Sequence, residues 1–497
     1  MTRELIGHFI DGKEIFEGDE RGPVYNPALG RPVREVLFAD EAVVDRAVAA
    51  AKAAQVAWGE ESLARRQRVM FDYRSLLLAH RNEIVALISE EHGKVLGDAG
   101  GEFARGVEVV EFVTGLPQLL KGQYNDSVSR GVDAMSVRYP IGVAAGITPF
   151  NFPAMVPMWM FPVALAAGNG FVLKPSEKDP STALRLAELF VEAGGPPGLF
   201  NVVNGDQRAV GRLLEHPDVK AISFVGSTPI ARSIYERAAH AGKRVQALGG
   251  AKNHMVVLPD ADIETVAEAA VSAAYGSAGE RCMAISVMVL VGDDGEAHLS
   301  AIKDRMQRLT VGSYLDPKSE MGPLITGIHR DRVARLVGEA EAKGAKILVD
   351  GRQHPLIKEA GFFFGPTLID GVRVDMEAYQ EEIFGPVLLV LRAPNLEAAI
   401  ALVNENPYAN GAAIFTGSGG AARTFIRHID AGMVGVNVPI PVPVAYHSFG
   451  GSKFSLFGDT HVHGEEGIRF YTRAKAVTMR WPGEDRIATG MHFVTNS

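Results

Sequence analysis

From residue 141 onward, short apolar runs alternate with helix-length segments. The runs lie at 141–147, 170–173, 200–203, 219–225 and 244–248, and helical periodicity fills 154–166, 181–193, 206–215 and 228–241 between them. Nearly unbroken apolar strands separated by helices predict a parallel sheet buried on both faces. This is a doubly wound α/β architecture, with its ligand at the carboxyl ends of the strands. Helical patterns at 41–57 and 62–92 are expected to pack onto the same unit. A second α/β unit is expected from about residue 255, with helix 262–278, strands 286–291, 345–349, 387–392, 411–415 and 433–437, and helices 327–343, 395–405 and 420–430. Phe470 to Trp481 alternates like an exposed strand without a helical partner, and with 127–139 it predicts a small β arm that pairs between subunits. The expected division is 1–126 with 140–254, then 255–450, then 127–139 with 451–497.

Length agrees with two units, since 497 residues exceed the roughly 250–300 at which one core stops growing. The net charge of -9 is spread among interspersed signs, with no basic face for nucleic acid or anionic lipid, and neither partner is expected. With one cysteine, Cys282, no intramolecular disulfide can form, and no apolar leader opens the sequence, so a reducing cytoplasm is the expected setting. The stretch from Tyr139 to Leu173 carries no charge and is long enough to cross a bilayer. Pro140, Pro149, Pro153, Pro157 and Pro162 interrupt it, each removing a backbone donor that lipid would not replace, so a buried strand, turn and helix are expected instead.

Candidate chemistry gathers at the ends of the predicted strands. Gly417-Ser418-Gly419-Gly420-Ala421-Ala422 has the form of a dinucleotide fingerprint but lacks the acidic residue about 20 positions later, and reads as a tight strand-to-helix turn. Phe224-Val225-Gly226-Ser227-Thr228 ends a strand and opens a helix, a place where backbone approaches a pyrophosphate, although any capped helix has a similar look. Lys174 and Glu177 end another strand. A carboxylate there accepts from both ribose hydroxyls and repels the 2′-phosphate of NADP, which favours NAD; a solvated capping pair is the alternative. Cys282 follows the small-residue break Gly276-Ser277-Ala278-Gly279-Glu280-Arg281, and the adjacent Arg281 is expected to favour its thiolate; an inert small hydrophobe is the alternative. His447, Asp459, His461 and His463 carry no specific zinc or iron spacing, and no metal is expected.

Together the segments resemble the aldehyde dehydrogenase family. The carrying motifs are Pro149-Phe150-Asn151-Phe152-Pro153, Lys174-Pro175-Ser176-Glu177, Phe224-Val225-Gly226-Ser227-Thr228, Leu248-Gly249-Gly250, Cys282, and Glu382-Ile383-Phe384-Gly385-Pro386. The resemblance implies a cofactor domain, a catalytic domain and an oligomerisation arm in a dimer of dimers. It implies that Cys282 is the nucleophile and that Asn151 serves the oxyanion hole with the Cys282 N–H. For NAD it implies Lys174 and Glu177 at the adenine ribose and Glu382 with Phe384 at the nicotinamide riboside, with Thr148, Phe150, Lys178, Gly226, Ser227 and Gly249 also binding the cofactor. In hydrolytic members a glutamate that activates water stands directly before Leu-Gly-Gly, whereas this chain has Ala247. The runs Gly279-Glu280-Arg281-Cys282-Met283, Ala251-Lys252-Asn253-His254 and Val438-Pro439-Ile440-Pro441 resemble the methylmalonate semialdehyde branch, which passes its acyl group to coenzyme A. That branch implies an aldehyde bearing a carboxylate, with Arg105, Arg281 and Phe449 in its pocket; a surface salt bridge is the alternative for Arg105. Phe150, Ala231 and Ser452 stand where many relatives carry Trp, Gly and an aromatic.

Overall fold

A computed structural model describes residues 4–481 except 19, 130, 293 and 294. Residues 482–497 of the expected arm and tail lie outside this range. The apolar runs form an eight-stranded sheet whose five central strands are parallel, in the order Arg244–Leu248, Val219–Val225, Val143–Ile147, Gly170–Lys174, Phe200–Val202. The chain winds outward from Val143–Ile147 in one direction and then returns to its other side through Val219–Val225. The switch point therefore lies between those two strands, and a crevice opens at their carboxyl ends. Antiparallel strands close both edges, His8–Ile10 and Lys13–Ile15 on one side and Leu456–Phe457 on the other.

The uncharged stretch after Tyr139 becomes the central strand Val143–Ile147, the helix Met155–Ala166 and the strand Gly170–Lys174, all buried. No helix among the described residues is long and apolar enough to cross a membrane. The 62–92 pattern divides at His80 into Leu63–Ala79 and Arg81–His92.

A second, seven-stranded sheet runs Lys346–Val349, Thr367–Asp370, Val387–Ala393, Ile285–Val291, Asn253–Val257, Gly411–Phe415, Met433–Val436, all parallel except the first. Its interior strand Asn253–Val257 begins just before the expected boundary at 254/255, and Thr367–Asp370 and the helix Glu296–Gln307 were not anticipated. The glycine-rich run at 417–422 is a capped turn: the Ser418 hydroxyl accepts from the Ala421 N–H, and the Gly417 N–H donates to Asp260.

The arm is a three-stranded antiparallel sheet, Thr472–Met479, Val132–Pro140 and Tyr124–Ser129, with the first two paired along the whole of Thr472–Met479. The residues between 451 and 471, grouped with the arm in the sequence reading, pack elsewhere. Leu456–Phe457 extends the first sheet, and the helix Gly464–Phe470 buries Ile468 and Phe470 in the same apolar cluster as Val163. Two-residue strands and a helix of under two turns carry too little periodicity to be read from sequence.

Candidate active site

Cys282 sits beyond the helix Ile263–Tyr275, after a turn in which Ser277, Ala278 and Gly279 all have positive φ, at 53°, 52° and 73°. Glycine is required at 279, because a Cβ there would run into the Gly385 carbonyl. The Cys282 carbonyl accepts from the side-chain amides of Asn253 at 2.9 Å and Asn410 at 3.2 Å, which fixes the backbone carrying the thiol. Burial, reinforced by the Glu382 carboxylate, pushes the thiol up to about 12. Arg281 does pull toward the thiolate as expected, but its guanidinium is also engaged by Asp98 at 2.6 Å, and burial and Glu382 outweigh it.

Asn151 lies in the loop between the strand Val143–Ile147 and the helix Met155–Ala166, held from both sides. Its side-chain amide donates to the Glu280 carbonyl at 2.9 Å, and its own carbonyl accepts from the Lys94 ammonium at 2.6 Å. Lys94 also donates to Glu102 at 2.7 Å, and the other oxygen of Glu102 accepts from the Ala154 and Met155 N–H groups at 2.8 and 3.2 Å. An anion there complements the first turn of the helix. Lys94 and Glu102 are almost wholly buried, and the sequence reading missed both.

Three adjoining cavities run through this region. The first, of 450 Å³, lies at the switch point and is lined by Thr148, Lys174, Glu177, Gly226 and Ser227. The second, of 550 Å³, is walled by Phe150, Asn151, Gly249, Cys282, Glu382 and Phe384. The third, of 290 Å³, contains Arg105, Leu248, Arg281, Cys282 and Phe449. Cys282 thus forms a wall common to the second and third. Lys178 borders none of the three; it pairs with Glu177 at 3.3 Å and lies over the Phe150 ring.

The first two cavities suit a dinucleotide. The helix Thr228–His240 begins at their edge with no side-chain cap on its N-terminal N–H groups. Burial raises the Glu177 carboxyl, but the ammonium groups of Lys174 and Lys178 outweigh it and hold Glu177 at about 2, so it is an anion at any working pH. Glu382 accepts from the Ala251 N–H at 3.1 Å, and burial pushes its carboxyl up to about 7. Phe384, with φ of 57°, meets the Phe150 ring edge-on at 5.9 Å.

Each cation facing the third cavity brings its own carboxylate. Lys94 is paired with Glu102 and Arg281 with Asp98, while Arg105 bonds Glu108 at 2.6 Å as well as the Pro443 carbonyl. Arg105 therefore makes the helix-surface pair weighed for it and lines the cavity too. Aromatic rings close one end, Trp159 against Phe449 at 4.9 Å and Phe449 against His463 at 5.0 Å.

One position is shifted from the sequence reading. Ala247 is fully buried in the apolar cluster that holds Phe224 and Ala231, whereas Leu248 borders the cavity beside Cys282. Side chains alternate along the strand Arg244–Leu248, so the residue facing the nucleophile is Leu248 and not Ala247. No carboxylate replaces it, and the conclusion that this strand offers water no base is unchanged. Of the other departures, Ala231 fills that cluster and the Ser452 hydroxyl donates to Asp430 at 3.2 Å.

The sequence profile of the aldehyde dehydrogenase family matches residues 16–477. A malonate-semialdehyde dehydrogenase of Pseudomonas aeruginosa is 52% identical over 96% of this chain and 96% of its own. A methylmalonate-semialdehyde dehydrogenase structure from Oceanimonas doudoroffii superposes with a TM-score of 0.95 at 51% identity, covering 97% of this chain and 99% of that one. A Sinorhizobium meliloti chain, provisionally assigned the same activity and crystallised with NAD, gives 0.95 at 50% identity over 96% and 98%. The doubly wound sheet, the cysteine turn at the junction of the cavities and these matches agree, and the chain belongs to the aldehyde dehydrogenase family.

Proposed function

We propose that the protein is an NAD-dependent, CoA-acylating dehydrogenase that converts malonate or methylmalonate semialdehyde to acetyl-CoA or propionyl-CoA with loss of carbon dioxide. The observation that carries this reading is Cys282 in the common wall, with a dinucleotide groove on one side and a cavity holding Arg105 and Arg281 on the other.

Cys282 gives up its thiol proton to water and the sulfur adds to the aldehyde carbon, while the oxygen that becomes negative is met by the Asn151 amide and the Cys282 N–H. Bound NAD supplies the hydride acceptor. Lys174 and Glu177 would hold its adenosine ribose, Gly226 and Ser227 its pyrophosphate, and Glu382 with Phe384 its nicotinamide riboside. A thioester then remains on Cys282. Leu248 leaves water without a base from its strand, whereas the thiolate of coenzyme A is already a nucleophile and displaces the cysteine. Arg105 and Arg281 hold the substrate carboxylate, which after oxidation lies beta to the thioester carbonyl. It departs as carbon dioxide while the donors of the oxyanion site hold the enolate.

The cofactor domain comprises the first sheet and its helices, and the catalytic domain is built on the second. The three-stranded arm supports subunit pairing in a dimer of dimers, and a single cysteine that must stay reduced suits the cytoplasm. A steady-state assay with malonate semialdehyde, methylmalonate semialdehyde and propionaldehyde, with and without coenzyme A, tests the reading. Coenzyme A should accelerate turnover and appear in the product; rapid release of free acid indifferent to coenzyme A would sink it.

A further inference from the structure

Asp98 joins two parts of the site that otherwise lie on separate elements. It stands in the first turn of the helix Leu96–Val113, where the helix dipole favours an anion, and it borders the cavity that holds Arg105 and Arg281. One of its oxygens accepts from the Arg281 guanidinium at 2.6 Å, and the other accepts from the Ser277 backbone N–H at 2.8 Å. Ser277 opens the run of left-handed residues that leads into Cys282. A serine and an alanine held in that conformation store strain, which the surroundings must over-determine. A single carboxylate therefore fixes both the turn that presents the nucleophile and the guanidinium beside it.

Arginine carries a long, rotamer-rich side chain, and ordering it costs entropy unless a fixed acceptor has already done so. A carboxylate that takes one edge of the guanidinium defines where the remaining edges can meet a second anion. Without that acceptor Arg281 would keep its charge but lose its direction. The repulsion that Asp98 exerts on an incoming carboxylate is offset by the Arg281 charge it pairs with, so direction is the larger effect.

We propose that Asp98 is a positioning and specificity-determining residue: it aims Arg281 at the substrate carboxylate and ties that aim to the turn carrying Cys282. This rests on the reading of Arg281 as a holder of the substrate carboxylate.

The test compares kcat/KM for malonate semialdehyde and for propionaldehyde, measured with NAD and coenzyme A on the same preparation of Asp98→Asn. Because the result is a ratio, any fraction of inactive enzyme cancels. The substitution should lower the ratio at least tenfold, mainly through the KM for the carboxylated aldehyde, while an amide oxygen at 98 still accepts from Ser277. In an Arg281→Leu background the same substitution should leave the ratio where Arg281→Leu alone has put it. An unchanged ratio in Asp98→Asn, or an equal further loss in the Arg281→Leu background, overturns the proposal while leaving the role of Arg281 intact. A ratio unchanged by Arg281→Leu itself overturns the reading of Arg281 and this proposal with it.

Discussion

The Lys94 ammonium donates to the Asn151 backbone carbonyl at 2.6 Å, while the Asn151 side-chain amide donates to the Glu280 carbonyl at 2.9 Å. Removing Lys94 alone would strand the buried Glu102 carboxylate, so the informative variant is the neutral pair Lys94→Met with Glu102→Gln. Its burst of NADH should be slower by roughly tenfold, less than the 100-fold to 1000-fold expected when an oxyanion donor is lost outright. In an Asn151→Ala background the pair should cost nothing more. Equal losses in both backgrounds, read by rapid mixing, would mean that the pair acts on folding and not through Asn151.

Leu248 and Ala247 face opposite sides of their strand, and substitution tells them apart. Leu248→Glu places a carboxyl at the cavity beside Cys282 and should raise hydrolysis of the thioester in the absence of coenzyme A. Ala247→Glu buries a charge among Phe224 and Ala231 and should lower the melting temperature without raising hydrolysis. Free acid from Ala247→Glu, and none from Leu248→Glu, would contradict the strand's facing.

That one-residue shift marks where sequence ceases to specify the site. The parallel strands were legible because double burial makes them continuous apolar runs; Glu177 was singled out at a strand end and Cys282 after a small-residue break, while Glu382 and Phe384 came only with the family resemblance. Which side chain of Ala247-Leu248-Gly249 meets the sulfur depends on the phase of the strand, and every apolar residue reads alike in a strand buried on both faces. Lys94, Asp98 and Glu102 were not legible either. Asp98 and Glu102 on a helix, and Lys94 in the loop just before it, look like ordinary surface charges, and only tertiary packing brings them against Asn151, Ser277 and Arg281.

Alkylation of Cys282 by iodoacetamide in the enzyme without ligands should be slow at neutral pH and rise with alkalinity toward the thiol's value of about 12. The rise should be shallower than tenfold per pH unit near 7, because Glu382 ionises there and its new charge pushes the thiol further up. Glu382→Gln should remove that inflection and speed labelling above pH 7. A labelling rate constant that stays flat from pH 6 to 9, followed by intact mass, would instead show a thiolate already formed and overturn the expectation.

Lys174 and Lys178 hold the Glu177 carboxyl down at about 2, so it is an anion at neutral pH and should disfavour the 2′-phosphate of NADP. Glu177→Gln should narrow the preference for NAD by about tenfold, the size of a partly screened contact between two charges. The measurement is the ratio of kcat/KM for the two cofactors, and a native enzyme indifferent between them would remove Glu177 from the ribose.

The pairing of Lys94 with Glu102, of Arg281 with Asp98 and of Arg105 with Glu108 leaves the empty cavity close to electroneutral. On the proposed function, a substrate that brings a carboxylate makes the chamber anionic. In the proposed reaction carbon dioxide would leave uncharged, and protonation of the carbanion left behind would cancel the excess. The acyl group that awaits coenzyme A is then neutral, in a chamber returned to its resting balance. The same pairing that makes the enclosure selective by direction thus also makes it a poor resting place for the carboxylate it admits.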